Sequence, residues 1–189
     1  MTRTLAVGGV VGPAAFVSAW SLLGTGQPGY FPTRDAISRL AAVGAPTRPL
    51  MTAGFVALGI GAPLYGLALR SARPGPAWVA AVGTGLSTLG AAAFPLGSGS
   101  HVVDTLHGLF AGAGYLSLAA LPLLAAGGAG GSGRALVASR ATGALAAASL
   151  AASLLGPDPG LFQRIGLTLG HLWMAVSAAE ILASDRLQR

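Results

Sequence analysis

The chain has 189 residues, of which 53% are apolar and 8% charged, with a formal charge of +6 from 11 arginines and five acidic residues. Water-facing domains usually carry about 25% charged residues. A soluble globule is therefore excluded for want of a polar surface, and a disordered chain for its excess of apolar residues. A mean hydropathy of +0.69 leaves a polytopic membrane protein. The absence of cysteine removes disulfides, thiolate nucleophiles and cysteine metal sites. The arginines stand singly or in twos between apolar runs, so no nucleic-acid partner is expected.

Six apolar runs approach the roughly 20 residues that a spanning helix needs: 4–24, 49–70, 77–97, 103–126, 137–156 and 162–183. The predicted fold is a single all-α domain, a bundle of six transmembrane helices with one short extracytoplasmic amphipathic helix. In the first run, Gly8 and Gly12 are spaced for close helix approach, as are Ala53, Ala57 and Gly61 in the second and Gly108 and Gly112 in the fourth. Pro13, Pro63 and Pro122 lie inside spans and predict kinks.

The connection 25–48 is unusual. Pro28-Gly29 signals a turn, Thr33 suits an N-cap, and Asp35 suits the first turn of a helix over 34–43. Ile37, Leu40 and Ala41 share one face of that helix, with Arg34, Ser38 and Arg39 largely elsewhere. Two readings stand. One is an interfacial connector anchored by Tyr30 and Phe31; the other is a lid over an outward-facing pocket.

Where the fourth run begins, His101, Asp104 and His107 recur every three residues. Successive members are offset by about 60°, so all three fall within a sector of about 120°. Such a set suits general acid–base chemistry, polar-ligand binding or a divalent metal. The plainer reading leaves His101 and Asp104 solvated and only His107 buried.

The sixth run opens on Gln163 and Arg164. It carries His171 about 13 Å further along than Phe162, near the bilayer midplane, followed by Trp173. An ionisable residue at that depth is a functional candidate by default; a serine or a backbone carbonyl would also satisfy it. Gln163 and Arg164 are expected to join a salt-bridge network with Asp35 or Asp104, or to grip an anionic headgroup. Glu180, near the far end, is expected to pair with Arg140 or face water.

Arginine asymmetry sets the expected topology. With the N-terminus inside, Arg3, Arg70, Arg73, Arg134, Arg140, Arg186 and Arg189 are cytoplasmic, and Arg34, Arg39, Arg48 and Arg164 lie outside. The expected location is the inner (plasma) membrane, multi-pass, with both termini cytoplasmic.

Gly12-Pro13, Pro28-Gly29-Tyr30, Ile37-Ser38, Gly44-Ala45-Pro46, Met51 with Gly54-Phe55, Phe94-Pro95, His107, and Phe162-Gln163-Arg164-Ile165 with Trp173 occur in that order. This ordered set, covering nearly the whole chain, resembles the domain-of-unknown-function 998 family of small prokaryotic membrane proteins. The resemblance implies an integral membrane fold of this size and no established activity. A looser resemblance, of inventory alone, is to the membrane hydrolases of the alkaline ceramidase and progestin–adiponectin receptor type. It would use Ser38 or Ser100 with Asp104, His101, His107 and His171 around zinc. The six runs here and the single histidine in the last depart from that pattern, which has seven spans and a final histidine pair.

Three functions follow as expectations. The first is a membrane protein that binds a lipidic or small amphiphilic ligand at an extracytoplasmic polar site, or serves as a subunit. Its ligand-binding candidates are Arg34, Asp35, Ser38, Arg39, Gln163, Arg164, His171 and Trp173. The second is a hydrolase or transferase with His101, Asp104 and His107 as catalytic candidates. The third is a small-solute transporter. No cofactor is expected; were a metal held, His101, Asp104, His107 and His171 are its candidate ligands and zinc its candidate identity.

Overall fold

A computed structural model of the chain describes residues 2–127 and 133–184. Arg186 and Arg189, counted above for topology, and most of the Gly/Ser-rich connection 127–134 lie outside the described residues.

The described chain is helical, with no strand. Helices α1 (Thr2–Ala6) and α2 (Gly8–Gly26) run on as one span of 25 residues, because Val7 keeps the helical ladder through Val7 N–H to Arg3 O. There follow a 3₁₀ turn η1 (Ile37–Ala41), then α3 (Arg48–Ala72), α4 (Ala77–Ala93), α5 (His101–Ala126), α6 (Gly133–Leu155) and α7 (Pro159–Ser184). Five of these spans are long and apolar enough to cross a bilayer; α4, at 17 residues, is shorter. The third predicted run extended to residue 97, but the helix stops at Ala93. Phe94 precedes a proline and leaves helical geometry at φ −114°, ψ 75°, as residues before proline tend to do.

Helices α2, α3, α4, α5 and α7 close into a ring, with α7 returning to α2. Helix α6 lies outside the ring against α5 and α7. Small residues set the approach distances. A Cβ on Gly61 would lie 2.5 Å from Gly8 O and 3.0 Å from Gly12 Cα, so α2 and α3 meet nearly backbone to backbone. The ring of Pro63 fits over Gly85 of α4, where a Cβ would collide with it. The expected stripe of Gly108 and Gly112 behaves differently: a Cβ on either would meet nothing within 4 Å. Large apolar side chains cover the outside, among them Leu22, Leu116 and Leu154 at 74%, 76% and 76% exposure. So wide an apolar exterior suits lipid as the surrounding solvent.

The connection between α2 and α3 is not a surface helix over 34–43. Only Ile37–Ala41 turns, as a 3₁₀ segment capped by no side chain, and it packs against α2, α3 and α7. The apolar face expected for it is real: Ile37, Leu40 and Ala41 are buried. It faces the bundle, because five residues cannot form the two-turn helix that would float on a headgroup layer. Asp35 does not serve as a helix N-terminal charge. Its carboxylate turns back to accept Phe31 N–H at 2.7 Å, closing a tight loop.

Candidate functional site

Two side chains at the start of α7 hold η1 in place. Gln163 is buried and works in both directions: its Oε1 accepts Ile37 N–H at 2.8 Å, and its Nε2 donates to the Tyr115 hydroxyl on α5. Arg164 is buried as well. Its guanidinium donates to Asp35 O at 3.0 Å, to Gly160 O at 2.8 Å, to Pro32 O and to the Tyr30 hydroxyl. Its carbon lies 5.4 Å and 5.5 Å from the Trp20 and Tyr30 ring centroids. The expected salt bridge from Arg164 to Asp35 or Asp104 is absent; carbonyl dipoles and aromatic faces take the charge instead. Nη1 and Nη2 of Arg164 are thus turned toward the chain's own oxygens. The Asp35 carboxylate pairs with Arg39 at 3.3 Å and Arg34 at 3.7 Å, whose side chains are otherwise 64% and 63% exposed. Burial pushes the Tyr30 phenol above its usual value, against the lowering pull of Arg164.

Beneath η1, enclosed by the five-helix ring, lies a cavity of about 50 Å³. Its apolar wall is formed by Phe16, Phe55, Leu58, Phe110, Leu118 and Leu167. The polar lining comes from Ser38, Thr84, Ser87, Thr88, His107, Tyr115, Gln163 and His171. No Arg, Asp or Glu lines it. His171 is 2% exposed, and neither ring nitrogen has a hydrogen-bond partner. Its ring meets Phe16 edge-on, with centroids 5.3 Å apart. His107 contrasts with it. Nδ1 lies 3.0 Å from Ala91 O and 2.9 Å from Phe94 O, at the broken end of α4. Two carbonyls can only accept, so Nδ1 carries a proton, and in the neutral form of the ring Nε2 is the acceptor.

The hydroxyls can be sorted in the same way. Thr84 donates to Ala80 O at 2.9 Å and Thr88 to Thr84 O at 2.7 Å, so both offer the cavity acceptor lone pairs only. Ser38, Ser87 and Tyr115 supply O–H donors; the Tyr115 oxygen already accepts from Gln163.

The candidate residues thus divide. Ser38, His107, Gln163 and His171 share the cavity, and Asp35 and Arg164 belong to the latch above it. Arg34 and Arg39 ride outside, Arg34 over the Phe31 ring at 4.5 Å. His101, Asp104 and His107 are not brought together: His101 and Asp104 are exposed and His107 is buried. A sector of about 120° is wide enough for one edge of α5 to face the core and the other to face outward. Among the described residues no three His, Asp or Glu side chains gather in a metal-binding group. Trp173 donates from Nε1 to Ser139 Oγ at 3.0 Å and faces α6. Glu180, expected to pair with Arg140 or face water, pairs with Arg73 at 2.5 Å and keeps its side chain 58% exposed.

Thr84, Ser87, Thr88 and Tyr115 were not singled out in the sequence. Their signal was available: Thr84, Ser87 and Thr88 stand at helical spacing on one face of an otherwise apolar run.

No curated protein and no solved structure matches the chain. The family described as "Protein of unknown function (DUF998)" matches residues 10–180, most of the sequence and all of the bundle but its first turns and the last turn of α7. On that match, and with a bundle of membrane-length helices as its fold, the chain belongs to the DUF998 family.

Proposed function

We propose that this is a membrane-embedded binding protein whose cavity takes a small uncharged hydrogen-bonding group, such as the hydroxyl, amide or ketone end of a compact amphiphile. The observation that carries the reading is His171, whose two ring nitrogens are buried and unpaired beside the cavity. An unsatisfied buried polar group costs about 1–3 kcal/mol, and nothing in the packing of Phe16 or Leu167 returns that. A bound polar group would.

The lining argues for neutrality. It holds no Arg, Asp or Glu side chain to pair with a carboxylate, a phosphate or an ammonium, and a lone charge in such surroundings is costly. It does offer both donors and acceptors. The volume, at about 10–15 Å³ per water, accommodates roughly three to five water-sized groups. That is a head rather than a chain.

The test uses protein labelled with ¹⁵N-histidine in micelles, titrated with 1-propanol, propylamine and propionate. His171→Leu assigns the resonance and should also raise thermal stability by removing the orphaned nitrogens. Saturable movement of the His171 signals by the alcohol alone supports the proposal. An equal response to propionate, or none to propanol, ends it.

One observation favours a second reading, a hydrolase or transferase. The Nε2 lone pair of His107 is the arrangement of a general base, and the hydroxyls of Ser38 and Ser87 line the same cavity. A fluorophosphonate that labels Ser38 or Ser87 in wild type but not in His107→Gln would establish it; no labelling of either serine would dismiss it.

The η1 end is read as extracytoplasmic, in the cytoplasmic (plasma) membrane. Arg3, Arg70, Arg73, Arg134 and Arg140 belong to the opposite end; of Arg34, Arg39, Arg48 and Arg164 at this end, all but Arg48 have internal partners that account for their presence. The chain has no cysteine, so a single Thr33→Cys label tests this directly. A membrane-impermeant maleimide should react in intact cells, and reaction only after lysis reverses the orientation.

A further inference from the structure

At the end of the bundle opposite η1, a groove of about 620 Å³ opens between the last turns of α3, α5 and α7 and the first turns of α4 and α6. Arg73, Arg140, Glu180 and Ser139 line it together with apolar residues such as Leu136 and Ala126. Three helices end at this groove and two begin, so their dipoles largely offset one another and the side chains set the sign. Arg73 is held by Glu180 at 2.5 Å through one of its nitrogens, which leaves the other nitrogens of its guanidinium free to donate. Arg140 is exposed on α6, with no carboxylate among the described residues within ion-pair distance. Two guanidiniums and one carboxylate leave one net positive charge in the groove.

The surroundings are those of a membrane boundary. Arg70 stacks over the Trp78 ring at 4.9 Å, an aromatic of the kind that sits at headgroup depth. Beside the groove, α6 presents Val137 at 66% exposure and α5 presents Leu123 and Leu124 at 40% and 37%. A molecule seated with its anion on Arg140 would have apolar helix faces for its tail.

We propose that this groove is a binding site for the phosphodiester headgroup of an anionic membrane lipid, with Arg140 and Arg73 as its anchors and the acyl chains along α5 and α6. One phosphodiester carries one negative charge and would bring the groove to neutrality. A basic pocket between spanning helices at this boundary is suited to such a headgroup, and Arg offers a planar pair of donors to phosphate oxygens. The site is separate from the cavity beneath η1 and does not depend on how that cavity is used.

The test titrates purified full-length protein in neutral maltoside micelles with phosphatidylglycerol or phosphatidylcholine, counting retained lipids by native mass spectrometry and following thermal unfolding. Phosphatidylglycerol should be retained and should stabilise, and phosphatidylcholine should do neither. Arg140→Ala should weaken retention about fivefold, the equivalent of one interfacial arginine. Arg3→Ala, at the same end but outside the groove, should leave it unchanged. Glu180→Gln should strengthen retention by releasing Arg73, which guards against a loss in Arg140→Ala that reflects folding alone. Equal retention of both lipids, equal effects of the two arginine variants, or the same stabilisation by inorganic phosphate without lipid would overturn the proposal.

Discussion

Replacing Arg164 by Met keeps most of the side-chain volume and removes every donor from the latch over the cavity. Hydrogen bonds to a charged group contribute about 1.5–3 kcal/mol each, and Arg164 makes four. That sum is an upper bound, because a buried guanidinium also loses several kcal/mol of hydration. Pro32 and Tyr30, near the surface, recover water when the latch opens. The carbonyls of Asp35 and Gly160 do not recover it as easily. A net loss of about 3–5 kcal/mol is the expected result, as for other broken buried charged contacts. For a chain of this length, 1 kcal/mol moves the midpoint by about 2–4 °C, so Arg164→Met should unfold roughly 6–20 °C below wild type in the same detergent. Released from α7, the 27–47 segment should also be cut by trypsin at Arg34 and Arg39 faster than before. Arg164→Lys keeps the charge but reaches fewer oxygens and should fall between the two. If Arg164→Met melts within about 2 °C of wild type and is cut no faster, the latch does not hold η1 and the account of the cavity roof fails.

Gly160→Ala attacks the same latch from the backbone, since its Cβ would lie 2.5 Å from Pro32 O and 2.6 Å from Asp35 O; tryptic release of the segment should match that of Arg164→Met without any change in charge. At the α2–α3 contact, Gly61→Ala should cost about 1–3 kcal/mol by overpacking in detergent-titrated unfolding. Gly112→Ala, which meets nothing within 4 Å, should be neutral or slightly stabilising by helix propensity. The raised Tyr30 phenol has a signed consequence: the unfolded chain releases that proton near pH 10.0, while the folded one still holds it. Stability should therefore decline as the pH rises beyond that point, and Tyr30→Phe should flatten part of the decline in melts between pH 9 and 11.

The spans were legible because a bilayer imposes a length and an apolar character that any reader of the residues can recognise, but the third was read through Pro95 to residue 97, past its end at Ala93. Gln163, Arg164 and His171 were legible as polar groups in costly places. Their partners were not. An arginine's charge invites a carboxylate, and Asp35 stands in the right segment, yet the chain turns so that main-chain oxygens reach Arg164 first. The burial of η1 was hidden for a related reason: Ile37, Leu40 and Ala41 declare an apolar face without saying whether lipid or protein meets it. The sequence spacing of His101, Asp104 and His107 carried no information about which edge of α5 the core would take. A pocket under the 25–48 connection was one of two readings of the sequence, but its lining was not legible, because it arises from gaps among five helices that are distant in sequence.

Helix α4 rises only about 25 Å at 1.5 Å per residue, several ångströms less than the usual hydrocarbon thickness of about 30 Å. Its flank cannot be matched by undeformed lipid, so acyl chains beside it must shorten or tilt and the leaflet must dip there. Thr88 and Ala91, both in the cavity lining, lie on the last turns of this helix, next to where the chain breaks at Phe94. A leaflet thinned beside α4 would bring the headgroup boundary toward this wall of the cavity.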